Sequence, residues 1–570
     1  MESTPQGIDL ELDLELALAP GAPERLTLPR FLEDVAARFG RRVALRFEGV
    51  DVRYEELAAN ARRLAAALLE VGVRKGERVA VLIANRPEWA TAVFAASRLG
   101  AIAVPVSTFA TPDERDYILG HSDACFLLMQ RHMAGRDYVA ELTHSHPELA
   151  NASAHGLELA GLPDLRGIAC LVAGAAPAAI EGWETFLERG AGIADKRIQS
   201  IADSVAPDDG GWIIYTSGTT DRPKGVLHSQ KAGVIQSWRF AELLGLNSQD
   251  IVFTAQPLFW TAGISMSLGA TLAAGAKLLL QETFAPEAAL DCIETERATT
   301  VHAWPHQEKA MAEHPSAQGR DFGPLHHVEF NSPLARLIGL EEDIWGIYAS
   351  YGMTETFTVI SALPADASAQ QRTGNSGRAL PGMEIRIVDP ESGEAREVGE
   401  RGEIIVRGVT LMQGYWKVPL ENVLDADGFF HTGDGGFIDA DGLLHWKGRL
   451  SGMIKTGGAN VSPLEVEKAA ADLPAVRAAI ALGVPHPTLG EALVLCVVPT
   501  VGNTIDEKAL RVRLRERLAV YKVPRHVIVV DEADAPTTGT QKLRADALRT
   551  LALERMTTAR TEIAGHIYND

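Results

Sequence analysis

The segment Ile213-Ile-Tyr-Thr-Ser-Gly-Thr-Thr-Asp-Arg-Pro-Lys-Gly-Val226 combines hydroxyls, glycines and one lysine at the end of an apolar run. Glycines let backbone N–H groups approach an anion closely, while hydroxyls donate hydrogen bonds and a lysine adds a positive charge. The segment therefore predicts a phosphate-binding loop after a buried strand. Its candidate ligands are Thr216, Ser217, Gly218, Thr219, Thr220 and Lys224.

This loop differs from the common P-loop. A Walker A motif needs Gly, four residues and then Gly-Lys-Ser/Thr, whereas Pro223-Lys224-Gly225 stands four residues after Gly218. The alternative is a polar turn between a strand and a helix, because Ser, Thr, Gly and Pro are ordinary turn formers. Motifs further along the chain decide between the two interpretations.

The composition excludes one class of partner. The chain has 570 residues, of which 46% are hydrophobic and 23% charged, so we expect two or more globular domains. Its formal net charge of −21 argues against a nucleic-acid-binding face, which requires clustered Lys and Arg. Anionic ligands would have to be bound by local groups of positive residues.

Cysteine usage and the terminal sequence indicate a cytoplasmic protein. The four cysteines are isolated and form no CxxC pair, which predicts neither disulfides nor a cysteine-based zinc site. Residues 1–20 are acidic where a signal peptide needs a basic region, so we predict no export. The segment 264–280 is interrupted by polar residues and Lys277 and does not predict a membrane span.

The pattern of secondary structure changes along the chain. The first half alternates helical and strand patterns, as in α/β proteins with largely parallel sheets. From 374 to 449 short strand patterns are separated by Gly and Asp turns, and an α+β pattern follows. We predict an α/β fold class with a large N-terminal domain, 1–450, built of α/β subdomains and a small β subdomain, and a small α+β C-terminal domain, 451–570.

Three motifs accompany the phosphate loop: Tyr351-Gly-Met-Thr-Glu-Thr356, His431-Thr-Gly-Asp434 and Gly448-Arg449. In order and spacing they are similar to those of the adenylate-forming superfamily of acyl-CoA synthetases, nonribosomal-peptide adenylation domains and luciferases. The resemblance spans roughly residues 25 to 550. It implies that ATP and Mg²⁺ activate a carboxylate as an acyl-adenylate, that a thiol such as CoA then displaces AMP, and that the C-terminal domain is mobile.

The resemblance assigns nucleotide contacts to individual residues. Tyr351 would lie against adenine, Thr354 would bind the α-phosphate and Glu355 would hold Mg²⁺, roles that suit an aromatic face, a hydroxyl and a hard carboxylate. Asp434 would accept both ribose hydroxyls, and Arg449 would contact the ribose or its phosphate. The alternatives are a polar turn with one core tyrosine, a solvated aspartate and a surface arginine.

The C-terminal domain is expected to supply the remaining groups. The ammonium of Lys542 would bridge the substrate carboxylate and the α-phosphate, completing a catalytic set with Thr354 and Glu355. Ser451 occupies the hinge position, and two glycines would let the pantetheine arm of CoA pass close to the backbone. These glycines are Gly457 and Gly458. A solvated lysine, a surface turn and a hairpin are the respective alternatives.

Aromatic residues indicate an acyl pocket. Its candidates are Phe259, Trp260, Trp304, Gly352 and Met353. Such a pocket would hold an aryl, alicyclic or fatty carboxylate, but aromatic and Met residues also pack in ordinary cores. Trp260 and Gln230 each replace a histidine that is common in the family, so the acyl specificity of relatives does not transfer.

We therefore predict an ATP-dependent, AMP-forming acyl-CoA synthetase. The alternative is a stand-alone adenylation enzyme that loads a carrier protein, and the sequence leaves the acceptor open. The expected partners are a small-molecule carboxylate and CoA, without nucleic acid and without an integral membrane segment. Formation of a homodimer is left open as well.

Overall fold

The computed structural model describes residues 25–569, except 155–156, 172–175, 217–222, 348, 451–453, 457–458, 462, 488, 519–521, 532–535 and 537–543. The described residues form two compact units. The first is drawn from Met1–Arg386, Ile405–His431 and Asp439–His445, and the second from Ile387–Ile404, Thr432–Ile438 and Trp446–Asp570. The predicted domain boundary at Ser451 lies outside the described residues.

The strands that precede the His431–Asp434 motif are β1 Val43–Phe47, β2 Val50–Arg53, β3 Arg78–Leu82, β4 Ile102–Pro105, β5 Ala124–Gln130, β6 His132–Met133, β7 Arg136–Asp137, β8 Gly167–Leu171, β9 Ile180–Gly182, β10 Gly210–Thr216, β11 Lys224–Ser229, β12 Ile251–Thr254, β13 Lys277–Leu280, β14 Thr300–His302, β15 Ser350–Met353, β16 Thr358–Ala362, β17 Arg378–Ala379, β18 Met383–Val388, β19 Gly402–Gly408 and β20 Gly414–Tyr415. The remaining strands are β21 Phe430–Ile438, β22 Leu444–Arg449, β23 Ile454–Thr456, β24 Ala459–Val461, β25 Val476–His486, β26 Gly490–Pro499, β27 His526–Val529, β28 Glu562–Ile563 and β29 His566–Ile567.

The helices are α1 Leu28–Phe39, α2 Tyr54–Glu70, α3 Pro87–Arg98, α4 Pro112–His121, α5 Tyr138–Ser145, α6 Trp183–Arg189, α7 Asp195–Asp203, α8 Gln230–Leu243, α9 Ala270–Ala274, α10 Pro286–Thr295, α11 Pro305–Ala312, α12 Pro333–Leu337, α13 Ala369–Arg372, α14 Pro463–Ala471, α15 Glu507–Arg515 and α16 Ala545–Thr558. A π-helical stretch, Gly263–Gly269, leads into α9. Stretches of this kind are rare and occur frequently at functional sites.

Two large sheets organise the first unit. The eight-stranded sheet has the order β20-β11-β10-β4-β3-β5-β8-β9, and neighbouring strands from β10 to β9 run parallel. The five-stranded sheet has the order β14-β12-β13-β1-β2 and is parallel apart from β2. Helices alternate with these strands along the chain, so the predicted α/β fold class is confirmed.

The second unit has its own core. The long antiparallel pair of β25 and β26 is joined by β27, which runs parallel to β26. One cluster of buried residues contains Val466, Leu495 and Leu514, and a second contains Leu548 and Ala552. These residues belong to α14, β26, α15 and α16, so helices and strands together form the predicted small α+β arrangement.

Neither disulfides nor membrane-spanning helices occur in the described part of the chain. Cys125, Cys170 and Cys496 are buried free thiols, and Cys292 is a partly exposed one. Among the helices of the described ranges, none combines the length and apolarity that crossing a bilayer requires.

Candidate active site

The predicted phosphate loop connects two antiparallel strands. β10 ends at Thr216 and β11 begins at Lys224, and these two residues are register partners. The interior of β10 is buried, as predicted for the apolar strand that precedes the loop. The loop leads into β11 rather than directly into a helix. Four of the candidate ligands, Ser217, Gly218, Thr219 and Thr220, lie outside the described residues.

Tyr415 connects the start of β11 to the Tyr351–Thr356 motif. Its hydroxyl donates a hydrogen bond of 2.8 Å to Oε1 of Glu355, and Nζ of Lys224 lies 4.9 Å from its ring centroid. The second contact has the geometry of a cation–π interaction. Pairing of β20 with β11 sets Tyr415 opposite Val226 and thereby brings the ring to this position. Sequence reasoning missed Tyr415, because a single Tyr in a Gly-Tyr-Trp run has no chemical signature.

A tight turn follows β15 and contains Thr354 and Glu355. The buried hydroxyl of Thr356 accepts a hydrogen bond of 3.1 Å from the N–H of Met353 and donates one of 2.7 Å to the carbonyl of Thr358. The two residues after the turn have φ angles of 53° and 101°. Such values cost a non-glycine residue about 1–3 kcal/mol each. Surrounding contacts must therefore hold this turn in place.

His228 contacts the turn that contains Thr354 and Glu355. Its Nε2 lies 2.7 Å from the carbonyl oxygen of Thr354, and its ring meets that of Phe357 edge-on at 4.9 Å. Burial lowers the pKa of His228 to about 4, so the ring is neutral and donates from Nε2. Gln230, in contrast, belongs to the core: it is fully buried, and its Oε1 accepts a hydrogen bond from the N–H of Leu28.

The backbone of β15 is compatible only with glycine at position 352. A Cβ on Gly352 would lie 1.8 Å from the carbonyl oxygen of Thr358 on β16. The register of the two strands shifts between Tyr351 and Gly352, which marks a β-bulge. Tyr351 is buried, whereas Gly352 is exposed and Met353 is half-buried. The bulge therefore presents Gly352 and Met353 to solvent.

Three predicted pocket residues form one aromatic cluster. The ring of Trp260 lies 5.4 Å from that of Phe259 and 6.2 Å from that of Trp304. These residues follow the carboxyl ends of the adjacent parallel strands β12 and β14, which explains why they meet. A fourth ring, Phe109, lies 5.5 Å from Phe259 and is 47% exposed. Sequence reasoning missed Phe109, which stands in the loop between β4 and α4.

Buried polar groups fix the segments that carry these rings. The hydroxyl of Ser267, in the π-helical stretch, lies 2.9 Å from Thr254 Oγ1 and donates to Gln256 Oε1 at 3.1 Å. Nδ1 of His302 lies 3.3 Å from the same hydroxyl. Ser265, in the same stretch, contacts Thr358 on β16 at 3.0 Å. The π-helical stretch therefore joins the aromatic segments to the strand that pairs with Gly352 and Met353.

Asp434, the carboxylate of the His431–Asp434 motif, lies in the second unit. Asp434 is a buried residue of β21, and its N–H donates to Thr432 Oγ1 at 3.0 Å. The same hydroxyl donates to the carbonyl of Ile404 at 2.6 Å, and Glu403 accepts from the N–H of Gly433 at 2.9 Å. Asp434 is therefore not the solvated turn residue that the alternative interpretation required.

The other candidates of the C-terminal half cannot be placed in the same detail. Arg449 is the last residue of β22. Ser451, Gly457, Gly458 and Lys542 lie outside the described residues.

The fold and the first-unit site together define an adenylate-forming enzyme. The chain belongs to the AMP-binding enzyme family: the AMP-binding enzyme model matches residues 32–416, and the model of the AMP-binding enzyme C-terminal domain matches residues 465–542. The family predicted from the motifs is therefore confirmed.

Individual relatives match nearly the whole chain. An indoleacetate–CoA ligase of Aromatoleum aromaticum is 33% identical over 90% of this chain and 96% of its own length. A dioxo-octahydroindenyl-propanoyl:CoA ligase of Rhodococcus jostii is 31% identical over 92% and 98%. The solved structure of o-succinylbenzoate CoA synthetase from Bacillus subtilis, in complex with its acyl-adenylate intermediate, is 26% identical, with a TM-score of 0.70 over 91% of this chain and 97% of that one.

Proposed function

We propose that this protein is an AMP-forming acid–CoA ligase for an aromatic or polycyclic carboxylic acid. A carboxylate oxygen attacks the α-phosphorus of ATP and pyrophosphate leaves. The sulfur of CoA then attacks the acyl carbon, and AMP leaves. The observation that carries the proposal is the contact of the Tyr351–Thr356 motif with two paired strands. Thr354 contacts His228 on β11, which starts directly after the phosphate loop, and Glu355 contacts Tyr415 on β20, which pairs with β11.

Residues in and beside this contact have side chains suited to binding a nucleoside triphosphate. Lys224 is exposed at the start of β11 and offers a positive charge next to the loop. Thr354 offers a hydroxyl for the α-phosphate, and the buried ring of Tyr351 offers a face for adenine. His228 and the Thr356 hydroxyl hold the turn that presents Thr354. Little reorganisation is then needed when charge develops on the phosphates.

The donor set also fits Mg²⁺. Glu355 is half-buried, and its Oε1 is already oriented by Tyr415, which leaves lone pairs on a hard oxygen ligand. Mg²⁺, when bound there, would neutralise phosphate charge. Glu355 would hold the ion, and Tyr415 would keep the carboxylate in the required orientation.

The aromatic cluster supports the proposed substrate class. Phe259, Trp260 and Trp304 converge at the carboxyl ends of β12 and β14, where ligands of α/β proteins usually bind. Phe109 adds a ring that is nearly half exposed. Stacked and edge-on rings bind flat apolar rings favourably. The indoleacetate, dioxo-octahydroindenyl-propanoyl and o-succinylbenzoate enzymes are named for aromatic or polycyclic acids and for CoA, which favours CoA over a carrier protein as acceptor.

Further roles are proposed for the C-terminal half. Asp434 would accept the ribose hydroxyls, and Arg449 would contact the ribose or its phosphate. Lys542 would bridge the carboxylate and the α-phosphate in the first half-reaction. Rotation at Ser451, with Gly457 and Gly458 beside the pantetheine arm, would then allow thioester formation in a mobile domain 451–570. A cytoplasmic location is proposed as well, supported by the four free cysteines.

The test is AMP formation from ATP across a panel of aliphatic, aromatic and polycyclic acids, with and without CoA. We expect AMP to accumulate only when an acid and CoA are both present, with the highest kcat/KM for aromatic or polycyclic acids. Acid-dependent exchange of pyrophosphate into ATP without consumption of CoA would instead identify an adenylation enzyme with another acceptor. Preference for short aliphatic acids would overturn the substrate class and leave the ligase assignment standing.

A further inference from the structure

Two histidines and an aspartate meet at the opposite end of the five-stranded sheet from the aromatic cluster. One ligand atom each of Asp250, His326 and His327 lies within 4.8 Å of the others. Asp250 directly precedes β12, and His327 forms a parallel bridge with Thr300, the first residue of β14. The cluster therefore lies at the amino ends of the two strands whose carboxyl ends lead to the aromatic cluster, and it is separate from the candidate active site.

The carboxylate of Asp250 is fixed by its neighbours. Oδ2 accepts hydrogen bonds of 2.8 Å from the N–H and from the side-chain amide of Asn247. Oδ1 accepts a hydrogen bond of 2.8 Å from Thr299 Oγ1. Asp250 is only 5% exposed. Because each carboxylate oxygen can accept more than one bond, Oδ1 can still bind a cation without rotation of the side chain.

His326 has the tautomer of a metal ligand. Its Nδ1 lies 2.8 Å from the carbonyl oxygen of Pro324. A carbonyl can only accept, so the proton resides on Nδ1 and the lone pair on Nε2. A hydrogen bond from the second ring nitrogen to a backbone carbonyl is the usual support of a metal-bound histidine. His326 is exposed, which gives an ion access from solvent.

His327 is held from two sides. Its ring stacks on that of Trp345 at 5.3 Å and 15°, and its Nδ1 lies 3.2 Å from Thr300 Oγ1. Trp345 is itself anchored, because its Nε1 donates to the carbonyl of Leu244 at 3.1 Å. These contacts fix the orientation of the His327 ring.

We propose that Asp250, His326 and His327 bind one divalent transition-metal ion, with Zn²⁺ as the preferred ion. Two imidazole nitrogens and one carboxylate oxygen form a ligand set typical of Zn²⁺, and water would complete a four-coordinate site. Mg²⁺ and Ca²⁺ are disfavoured because they prefer oxygen ligands throughout. The ion would join the turn 247–250 to the segment 326–327, which are distant in sequence.

This joining predicts an effect on stability. An ion that binds the folded chain and not the unfolded chain raises the melting temperature by mass action. The alternative without a metal is a group of three polar side chains that are held only by their own hydrogen bonds and ring contacts. That arrangement would give no saturable Zn²⁺ binding at pH 7.5.

The experiment is titration of the full-length, chelator-treated protein with Zn²⁺ alone at pH 7.5, followed by calorimetry and by thermal unfolding. We expect one ion per chain and a rise in Tm. In His326→Ala and in Asp250→Asn the affinity should fall at least roughly tenfold, and the rise in Tm at a fixed Zn²⁺ concentration should be smaller than in the wild type. His326 is exposed, so His326→Ala is expected to fold, and His132→Ala provides the matched control because His132 is an exposed histidine 4.0 Å from Asp137.

Replacement of Zn²⁺ by Co²⁺ adds a second measurement. A visible spectrum of tetrahedral intensity is expected from the wild-type protein and not from His326→Ala. Equal Zn²⁺ affinity in the wild type and in His326→Ala would overturn the proposal, as would the absence of saturable binding in the wild type. Because neither measurement uses ATP or an acid substrate, both outcomes are independent of the proposed ligase activity.

Discussion

The hydroxyl of Tyr415 donates a 2.8 Å hydrogen bond to Oε1 of Glu355. The same ring lies 4.9 Å from Nζ of Lys224. One aromatic side chain thus contacts the proposed magnesium ligand and the proposed phosphate-binding cation. Orientation of both groups depends on the pairing of β20 with β11.

Replacement of Tyr415 by Phe removes the hydrogen bond and keeps the ring. A hydrogen bond to a charged group contributes about 1.5–3 kcal/mol, and Glu355 is partly solvated, so we expect a loss of about tenfold in kcat/KM for ATP. The Mg²⁺ concentration that gives half-maximal activity should rise. Tyr138→Phe is the control, because Tyr138 donates to Thr108 and has no contact with Glu355 among the bonds of the described residues. Unchanged Mg²⁺ dependence in Tyr415→Phe would contradict the proposed role.

Gly352→Ala should abolish adenylation. The added Cβ would lie 1.8 Å from the Thr358 carbonyl, so β15 and β16 would have to separate and the Thr354 turn would shift. Steady-state kinetics and thermal unfolding measure the two effects. Gly182→Ala is the control, since a Cβ there meets no atom within 4 Å. Full activity of Gly352→Ala would show that the bulge tolerates a side chain.

Trp260→Ala distinguishes an acyl pocket from a packed core. If Trp260 contacts the acid, kcat/KM for aromatic acids should fall at least about tenfold, while KM for ATP and kcat/KM for short aliphatic acids should change little. A core residue would instead lower Tm and leave the order of acid preference unchanged. Val50→Ala, an exposed substitution in the same unit, gives the background variation.

The stability of the protein should decrease as the pH falls from 6.5 to 4. Burial lowers the pKa of His228 from 6.5 to about 4, and that of His302 to about 3. As the pH falls, these histidines take up a proton in the unfolded chain at a higher pH than in the folded chain. Each histidine therefore lowers the free energy of unfolding by up to about 1.4 kcal/mol per pH unit in this range. Glu329 acts in the opposite direction, because burial raises its pKa to about 7.

His228→Gln tests this assignment. Glutamine retains an N–H donor for the Thr354 carbonyl and does not titrate. Urea unfolding at a series of pH values should show that the free energy of unfolding declines less steeply with falling pH than in the wild type. The difference in slope should correspond to one proton at most. His132→Gln, at an exposed position, should leave the decline unchanged. A decline identical in the wild type and His228→Gln would mean that His228 is not the buried neutral group assigned here.

Lys542→Ala separates the two half-reactions. Loss of the ammonium should strongly reduce acid-dependent adenylation, because two anions would then approach without a bridging charge. Thioester formation from a supplied acyl-adenylate should stay within about twofold of the wild type. Rapid-quench measurements of both steps provide the comparison, and equal losses in both would contradict the role proposed for Lys542.

Several features of this protein could be determined from the sequence by itself. Phosphates, Mg²⁺ and ribose require particular chemical groups, so the motifs around Thr216, Thr354 and Asp434 identified the family. The alternation of helical and strand patterns predicted the α/β class, because burial on a parallel sheet imposes that periodicity. Phe259, Trp260 and Trp304 also proved to be neighbours, since they follow strands that are adjacent in one parallel sheet.

Only the tertiary structure assigned Tyr415, His228, Phe109 and the Asp250 cluster. Their residue types are common, and each acts through a partner that is distant in sequence. Strand register brings Tyr415 to Glu355, and packing of β11 against the turn brings His228 to Thr354. Gln230 shows the converse, because a position noted for replacing a histidine common in the family is buried in the core. Local sequence sets residue chemistry and periodicity, whereas contacts between distant segments depend on the register and packing of the whole fold.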